Sequence, residues 1–400
     1  MSQSSTIHPE LQGFARRVPK FSITSGNLWL WRFFTNLQGA AKPPKDVTIQ
    51  DIFIPGKDKK TKIRLHVYKP KSHVGLVPGL VWLHGGGYVI GTPEIDDLLC
   101  IKLVQELGIV VISVDYRLAP QHPFPAALDD AYESLKWAKV YSRRVGIDNR
   151  IAIGGRSAGG GLAAALAQLA HDQKEIPLAA QLLIYPMLDD RTSSRTDLVE
   201  HEITTWSRVS NRFGWASYLR SGSGAGSYPE YAVSARRDDL SGLPPAWIGV
   251  GTPDLFHDED VKYAKRLKDQ GVTCELKIVD GAYHGFDVIA PSTQVARDFQ
   301  MSLTVALRKH LFSAKQKISA VDLIPGKMYR IVKPFTDYNG VVHAMGECWK
   351  YLGHNFLPYE DGLTIGVEID GKQRMFRMQW REELQAEIID NFSEYVEEAA

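Results

Sequence analysis

Ser157 stands in Gly155-Arg156-Ser157-Ala158-Gly159-Gly160, between an apolar run and an alanine- and leucine-rich stretch. A serine hydroxyl is a poor nucleophile until a base takes its proton as it attacks. Glycines two places before and after it let a strand turn sharply into a helix and leave that hydroxyl exposed. Alone, such a spacing is a weak signal; the flanking strand and helix patterns give it weight. His84-Gly85-Gly86-Gly87 follows another apolar run. Consecutive glycines allow backbone N–H groups to face a reacting carbonyl oxygen with no side chain in the way. Gly86 and Gly87, with the N–H of Ala158, are therefore the expected oxyanion donors, and His84 is expected to brace the loop. A dinucleotide-binding loop would need a different glycine spacing opening a helix.

His284 lies in Gly281-Ala282-Tyr283-His284-Gly285-Phe286, just after the strand-like run 274–279. It is the expected general base, accepting the serine proton and returning it to a leaving alkoxide. Activity should then fall on acidification as the imidazole becomes charged. His122, His257, His343 and His354 read as turn or surface residues. Asp254 follows the run 246–250 and is expected to orient His284. Asp258, Glu259 and Asp260 crowd the same turn, where acidic groups also serve a helix N-terminus; Asp254 is preferred because it is nearest the strand's end.

These residues need elements to hold them. Residues 47–54 and 63–68 read as a hairpin around the turn 56–60, where Lys57, Lys59, Lys60 and Lys62 form a solvated cluster. Short buried-type runs follow at 80–83, 110–114, 151–153, 182–185, 246–250 and 274–279. Helical patterns alternate with them at 96–106, 126–140, 160–171 and 258–270, and a last one spans 293–311. Such alternation predicts an α/β fold with a mainly parallel sheet of about eight strands, the first two antiparallel, and helices on both faces. Residues 8–45 join no strand pattern, yet 21–37 is rich in Trp and Phe; a helix lying over the pocket is expected rather than a membrane-surface anchor, which would carry a basic face. The insertion 189–245, with a Gly/Ser-rich stretch at 221–226, is read as the other part of the roof.

Composition narrows the class. With 400 residues, one large and one small domain are expected. The formal net charge of +1 argues against a nucleic-acid binder, and no apolar run approaches the length of a membrane span. Cys100, Cys274 and Cys348 lack metal-type spacing and read as buried or half-buried thiols, and the N-terminus lacks a secretory pattern, so a cytoplasmic address is expected. Residues 321–400 carry 14 acidic and 8 basic groups against a basic excess upstream, which suggests two domains of opposite charge.

Residues 75–310 resemble the hormone-sensitive-lipase-like branch of the α/β-hydrolases, the bacterial family IV esterases. The motifs that carry the likeness are His84-Gly85-Gly86-Gly87, Asp115-Tyr116-Arg117-Leu118-Ala119-Pro120, His122-Pro123-Phe124-Pro125-Ala126, the Ser157 turn, Tyr185-Pro186, Asp254-Leu255 and His284-Gly285-Phe286. The resemblance implies a triad of Ser157, Asp254 and His284 and an oxyanion hole from Gly86, Gly87 and Ala158. It also implies hydrolysis of short-chain carboxylic esters through an acyl-serine intermediate, a small-molecule ester as partner, no cofactor or metal, and a homodimer. The catalytic domain is expected over 46–315, with a lid from 1–45 and about 190–226. Arg156 departs from the family, which usually has an acidic or small residue there; a salt bridge to a carboxylate such as Asp115 or Asp189 is expected, with a preference for anionic substrates as the alternative. A non-catalytic ligand receptor, or an interaction protein on an esterase scaffold, is the rival reading of the whole chain.

Residues 320–400 lie outside that likeness. Short strand patterns from 325 to 379 and an acidic helix over 381–398 predict a small, barrel-like β-rich domain. It is similar to a small bacterial domain of unknown function, and dimer contact, pocket coverage or partner binding are its expected roles.

Overall fold

In the computed structural model, residues 7–18, 22–37, 39–72, 75–195, 205–220, 228–312, 320, 323–357, 362–379, 381, 385–390 and 392–399 are described. The chain divides into two compact units, Met1–Leu311 and Phe312–Ala400.

The first unit is built on a sheet of eight strands: β1 (Val47–Pro55), β2 (Lys62–Pro70), β3 (Val77–Leu83), β4 (Val110–Asp115), β5 (Ile147–Arg156), β6 (Gln181–Ile184), β7 (Ala246–Gly251) and β8 (Cys274–Val279). Their order across the sheet is β1-β2-β4-β3-β5-β6-β7-β8. β2 pairs antiparallel with both β1 and β4, and every pair from β4 to β8 is parallel. The central strands are apolar on both faces because helices cover both, and side chains alternate between the two sides. Along β3, Val81 and Leu83 enter one core while Leu80 and Trp82 enter the other. The first core holds the helices Ala126–Val140, Ala158–Gln173 and His257–Asp269; the second holds Asp97–Leu107 and Gln294–Phe312.

The hairpin turn is closed by Asp58, whose carboxylate accepts from the N–H groups of Lys60 and Thr61 and from the Thr61 hydroxyl. The N-terminal aromatic segment forms a helix over Leu28–Leu37. Only Leu28 in it is fully buried, while Trp29, Phe33, Phe34 and Leu37 are exposed. The Arg32 guanidinium pins this helix to the backbone oxygens of Val89 (2.9 Å) and Ala119 (2.8 Å). The insertion after β6 contributes the helix Arg208–Leu219, and Ile23 N–H donates to Ser210 Oγ there at 2.8 Å. The Gly/Ser-rich stretch 221–226 and the part of the expected roof at 196–204 lie outside the described residues. Among the described residues, no helix is long and apolar enough to cross a membrane. Cys100 and Cys274 are buried thiols, whereas Cys348 is exposed at the head of its strand, contrary to expectation.

The second unit contains β9 (Met328–Ile331), β10 (Phe335–Thr336), β11 (Val342–His343), β12 (Cys348–Leu357), β13 (Gly362–Ile369), β14 (Lys372–Gln379) and β15 (Val396–Glu398). Five of them form an antiparallel sheet in the order β14-β13-β12-β9-β15. Leu363, Ile365 and Val367 alternate inward along β13, against Trp349, Phe376 and Phe392. The expected acidic helix over 381–398 is not formed. A short helix, Ala386–Asp390, gives way to β15, where Val396 pairs with Ile331 of β9. Burial of Phe392, Tyr395 and Val396 and the cross-strand pairs Glu397–Arg330 and Glu398–Lys327 override the helical composition. His343, expected on a turn or the surface, is buried between the rings of Phe335 and Phe376, because the short pair β10–β11 folds onto this core.

Candidate active site

β5 ends at Arg156, the helix Ala158–Gln173 begins two residues later, and Ser157 between them makes the turn with φ 55° and ψ −120°. That is a costly backbone conformation for a residue with a side chain, and it persists only where the surroundings impose it. Here they do. Ser157 N–H donates to Ile184 O at 2.9 Å, and Ser157 O accepts from Gly161 and Met187. A Cβ at Gly159 would come within 2.1 Å of Leu83 O, and one at Gly155 within 2.3 Å of Gly159 O. The glycines are therefore required by the close approach of helix to strand.

His284 follows β8 and precedes the short helix Phe286–Ile289. Its Nε2 lies 3.0 Å from Ser157 Oγ, and its Nδ1 lies 2.8 Å from Asp254 Oδ2. With the ring protonated at Nδ1, Nε2 is left to accept the serine hydroxyl proton. Asp254 sits in the turn after β7, where its other oxygen accepts from Phe256 N–H at 2.9 Å. The tilted ring of Tyr185 and the edge-on ring of Phe256 hold the imidazole at centroid distances of 4.5 and 5.2 Å.

The other acids of that turn face elsewhere. Asp258 is exposed and paired with Arg195 at 2.8 Å. Glu259 points inward, accepting from Leu188 N–H (2.7 Å), Asp189 N–H (3.1 Å) and the Thr192 hydroxyl; burial pushes its carboxyl well above the usual range. Asp260 is fully buried with no hydrogen-bond partner among the described residues. Burial, then the neighbouring Glu259 and Asp254 charges, push it upward too.

The glycine loop turns back at Gly86 (φ 127°) and Gly87 (φ 60°) beneath the start of the helix Ala158–Gln173. The N–H groups of Gly86, Gly87 and Ala158 donate to no acceptor among the described residues. A Cβ on Gly86 would strike Ile90 O at 2.0 Å. His84 is buried beneath the loop. Its ring stacks on Tyr116 at 4.3 Å, and its Nδ1–H donates to Gly85 O at 2.8 Å. Burial lowers its basicity, which suits a neutral brace.

Arg156 does not pair with Asp115 or Asp189. Its guanidinium turns into the interior, bonding Asp96 through Nη1 and Asp287 through Nη2, the latter at 2.9 Å. Asp115 is taken by Arg64 and Asp189 by Arg191. Three further contacts have no local signal in the sequence. The Thr205 hydroxyl donates to His284 O, the Trp206 indole covers Gly87, and Tyr185 OH donates to Asp287 Oδ1 at 2.6 Å.

Comparison with known proteins bears on the fold and the family. The family profile described as alpha/beta hydrolase fold matches residues 80–288, and a second, described as a domain of unknown function, matches residues 314–399. An ethyl acetate hydrolase of Pseudomonas putida is 33% identical over 287 residues, 68% of this chain and 86% of that protein. The carboxylesterase NlhH of Mycobacterium tuberculosis is 36% identical over 234 residues, 58% of this chain and 73% of its own length. Among solved structures, a bacterial heroin esterase superposes with a TM-score of 0.70 at 34% identity, covering 76% of this chain and 98% of the other. Fold, family profile and relatives converge: this chain belongs to the alpha/beta hydrolase fold family.

Proposed function

We propose that the chain is a carboxylic ester hydrolase of the hormone-sensitive-lipase-like branch, working through an acyl-serine intermediate. The observation that carries this reading is the continuous relay from Ser157 Oγ through His284 to Asp254, at 3.0 and 2.8 Å, with the serine on a strained turn. Ser157 Oγ attacks the ester carbonyl carbon while His284 Nε2 takes its proton. The resulting oxyanion is met by the N–H groups of Gly86, Gly87 and Ala158. Collapse breaks the bond to the alkoxy group, which leaves as an alcohol with the proton from Nε2. Water then attacks the acyl-serine by the same route, releasing the acid and restoring the serine. Asp254 holds the imidazole in the required tautomer and stabilises its cation.

Preference for short acyl chains is part of the proposal. Support comes from the aromatic enclosure around the glycine loop: Trp206 over Gly87, and Tyr88 stacked on Tyr218 at 4.0 Å beside Trp215. The name of the Pseudomonas putida relative, an ethyl acetate hydrolase, points the same way. We assign the lid to 1–45 and about 190–226, the catalytic domain to 46–315 and the small β-rich domain to 320–400. The Ile23–Ser210 bond between the two lid segments supports the first assignment. A homodimer and a cytoplasmic address complete the reading, tested by light scattering on the purified chain and by cell fractionation. The decisive variant is Ser157→Ala, which should abolish turnover of nitrophenyl butyrate with the fold intact; unchanged turnover would remove the assignment.

A further inference from the structure

We infer that Arg156 is a positioning residue for His284, acting through Asp287 and Tyr185. It stands next to the nucleophile in the chain, yet its guanidinium points into the protein and ends on Asp96 and on Asp287, 2.9 Å away. Asp287 is three residues beyond the base, and its second oxygen accepts from Tyr185 OH at 2.6 Å. The Tyr185 ring packs on the His284 imidazole with centroids 4.5 Å apart. Asp96 is itself fixed by Trp82 Nε1–H at 2.8 Å. The turn that presents the nucleophile is thus tied, through side chains alone, to the loop that presents the base.

All three ions are buried, with side-chain exposures of 7% for Arg156 and 0% for Asp96 and Asp287. Stability alone does not explain such a cluster, since well-packed apolar groups of similar volume often hold a fold as well or better. What apolar groups lack is direction. A guanidinium fork bonded to two carboxylates fixes where Asp287 stands, and therefore where Tyr185 and the imidazole stand. The cluster also carries one net negative charge behind Tyr185. The other groups facing His284 are Asp254 at Nδ1, Ser157 at Nε2 and the Phe256 ring, with Glu259 and Asp260 beyond Asp254; none of them changes in the variants below.

This inference rests on the acyl-serine reading, and Ser157→Ala tests that reading separately. The experiment for Arg156 is the pH profile of nitrophenyl butyrate hydrolysis for Arg156→Gln, Asp287→Asn and Arg156→Lys, with folding checked by circular dichroism. Arg156→Gln leaves more negative charge near the imidazole, which favours its cation, so the acidic limb of kcat/KM should move to higher pH. Asp287→Asn removes negative charge, so that limb should move to lower pH. In both, kcat should fall by about 10²-fold with KM little changed, the scale of a small misplacement of the reacting groups. Arg156→Lys keeps the charge without the fork, and should restore the wild-type limb with an intermediate kcat. If Arg156→Gln does not fold, the other two variants carry the test. Limbs that stay in place, or move in the same direction for Arg156→Gln and Asp287→Asn, would overturn the inference. So would an Arg156→Lys variant no better than Arg156→Gln while folded.

Discussion

The indole of Trp206 occupies the space that a side chain on Gly87 would need: a Cβ there would lie 2.0 Å from Cη2 of the ring. A residue of the insertion after β6 and a residue of the glycine loop are thus packed edge to backbone. Gly214 of the helix Arg208–Leu219 adds to the contact, since its own Cβ would come within 2.7 Å of Gly87 O. Gly87→Ala should therefore displace the loop or the indole. An oxyanion donor lost from its place costs about 3–4 kcal/mol, or 10²–10³ in kcat. The expected result is a fall of at least about tenfold with the fold retained, and partial recovery in Gly87→Ala/Trp206→Ala. Stopped-flow kinetics of the single and double variants measure both.

On the proposed reading, the Trp206 indole against Gly87 would limit the space beside the reacting carbonyl. Trp206→Ala should shift the preferred nitrophenyl ester toward longer acyl chains, lowering kcat/KM for acetate relative to octanoate. A series of esters of increasing acyl length reads the shift directly.

Among Asp254, Asp258, Glu259 and Asp260 after β7, only Asp254 lies against His284. Asp254→Asn should leave the wrong tautomer and lower kcat by about 10³–10⁴. Asp258→Asn, at an exposed ion pair with Arg195, should leave kcat within about twofold, as surface pairs contribute little. Steady-state kinetics of the two variants separate these roles.

Asp260 is a buried carboxyl without a partner among the described residues, held above its usual range by burial. The folded state therefore keeps a proton that the unfolded chain releases above about pH 4. Stability falls as pH rises from there toward the raised folded value, because the unfolded state binds fewer protons in that window. Asp260→Asn cannot ionise. Its melting temperature should exceed that of the wild type at pH 8, by a free energy on the order of 1 kcal/mol, and the difference should shrink toward pH 4. Thermal melts across that range measure the trend.

Truncation after residue 311 removes the second unit but none of Ser157, Asp254 or His284. Ester turnover should survive it, and light scattering of the shortened chain tells whether residues 320–400 serve self-association.

Much of this was legible in the sequence for definite reasons. The strands of the large sheet show as short apolar runs because both faces are buried, and Ser157, His284 and the glycine loop each follow such a run. The partners of Arg156 did not show. Asp96 and Asp287 lie 60 and 131 residues away, and nothing local distinguishes them from other acids. The strand Val396–Glu398 was hidden by acidic, helix-like composition, since only pairing with β9 decides it. Buried His343 was hidden by the polar, turn-rich residues around it. Trp206 lies in an insertion without periodicity, so its place over Gly87 is set by tertiary packing alone.

The central claim is a covalent ester between substrate acyl group and Ser157. Rapid-quench peptide mass spectrometry after mixing with nitrophenyl butyrate tests it most directly. A butyryl adduct on the peptide containing Ser157, formed with the burst of nitrophenol and missing in Ser157→Ala, is the predicted result. Hydrolysis with no adduct at that serine, or an undiminished burst in the Ser157→Ala variant, would contradict it.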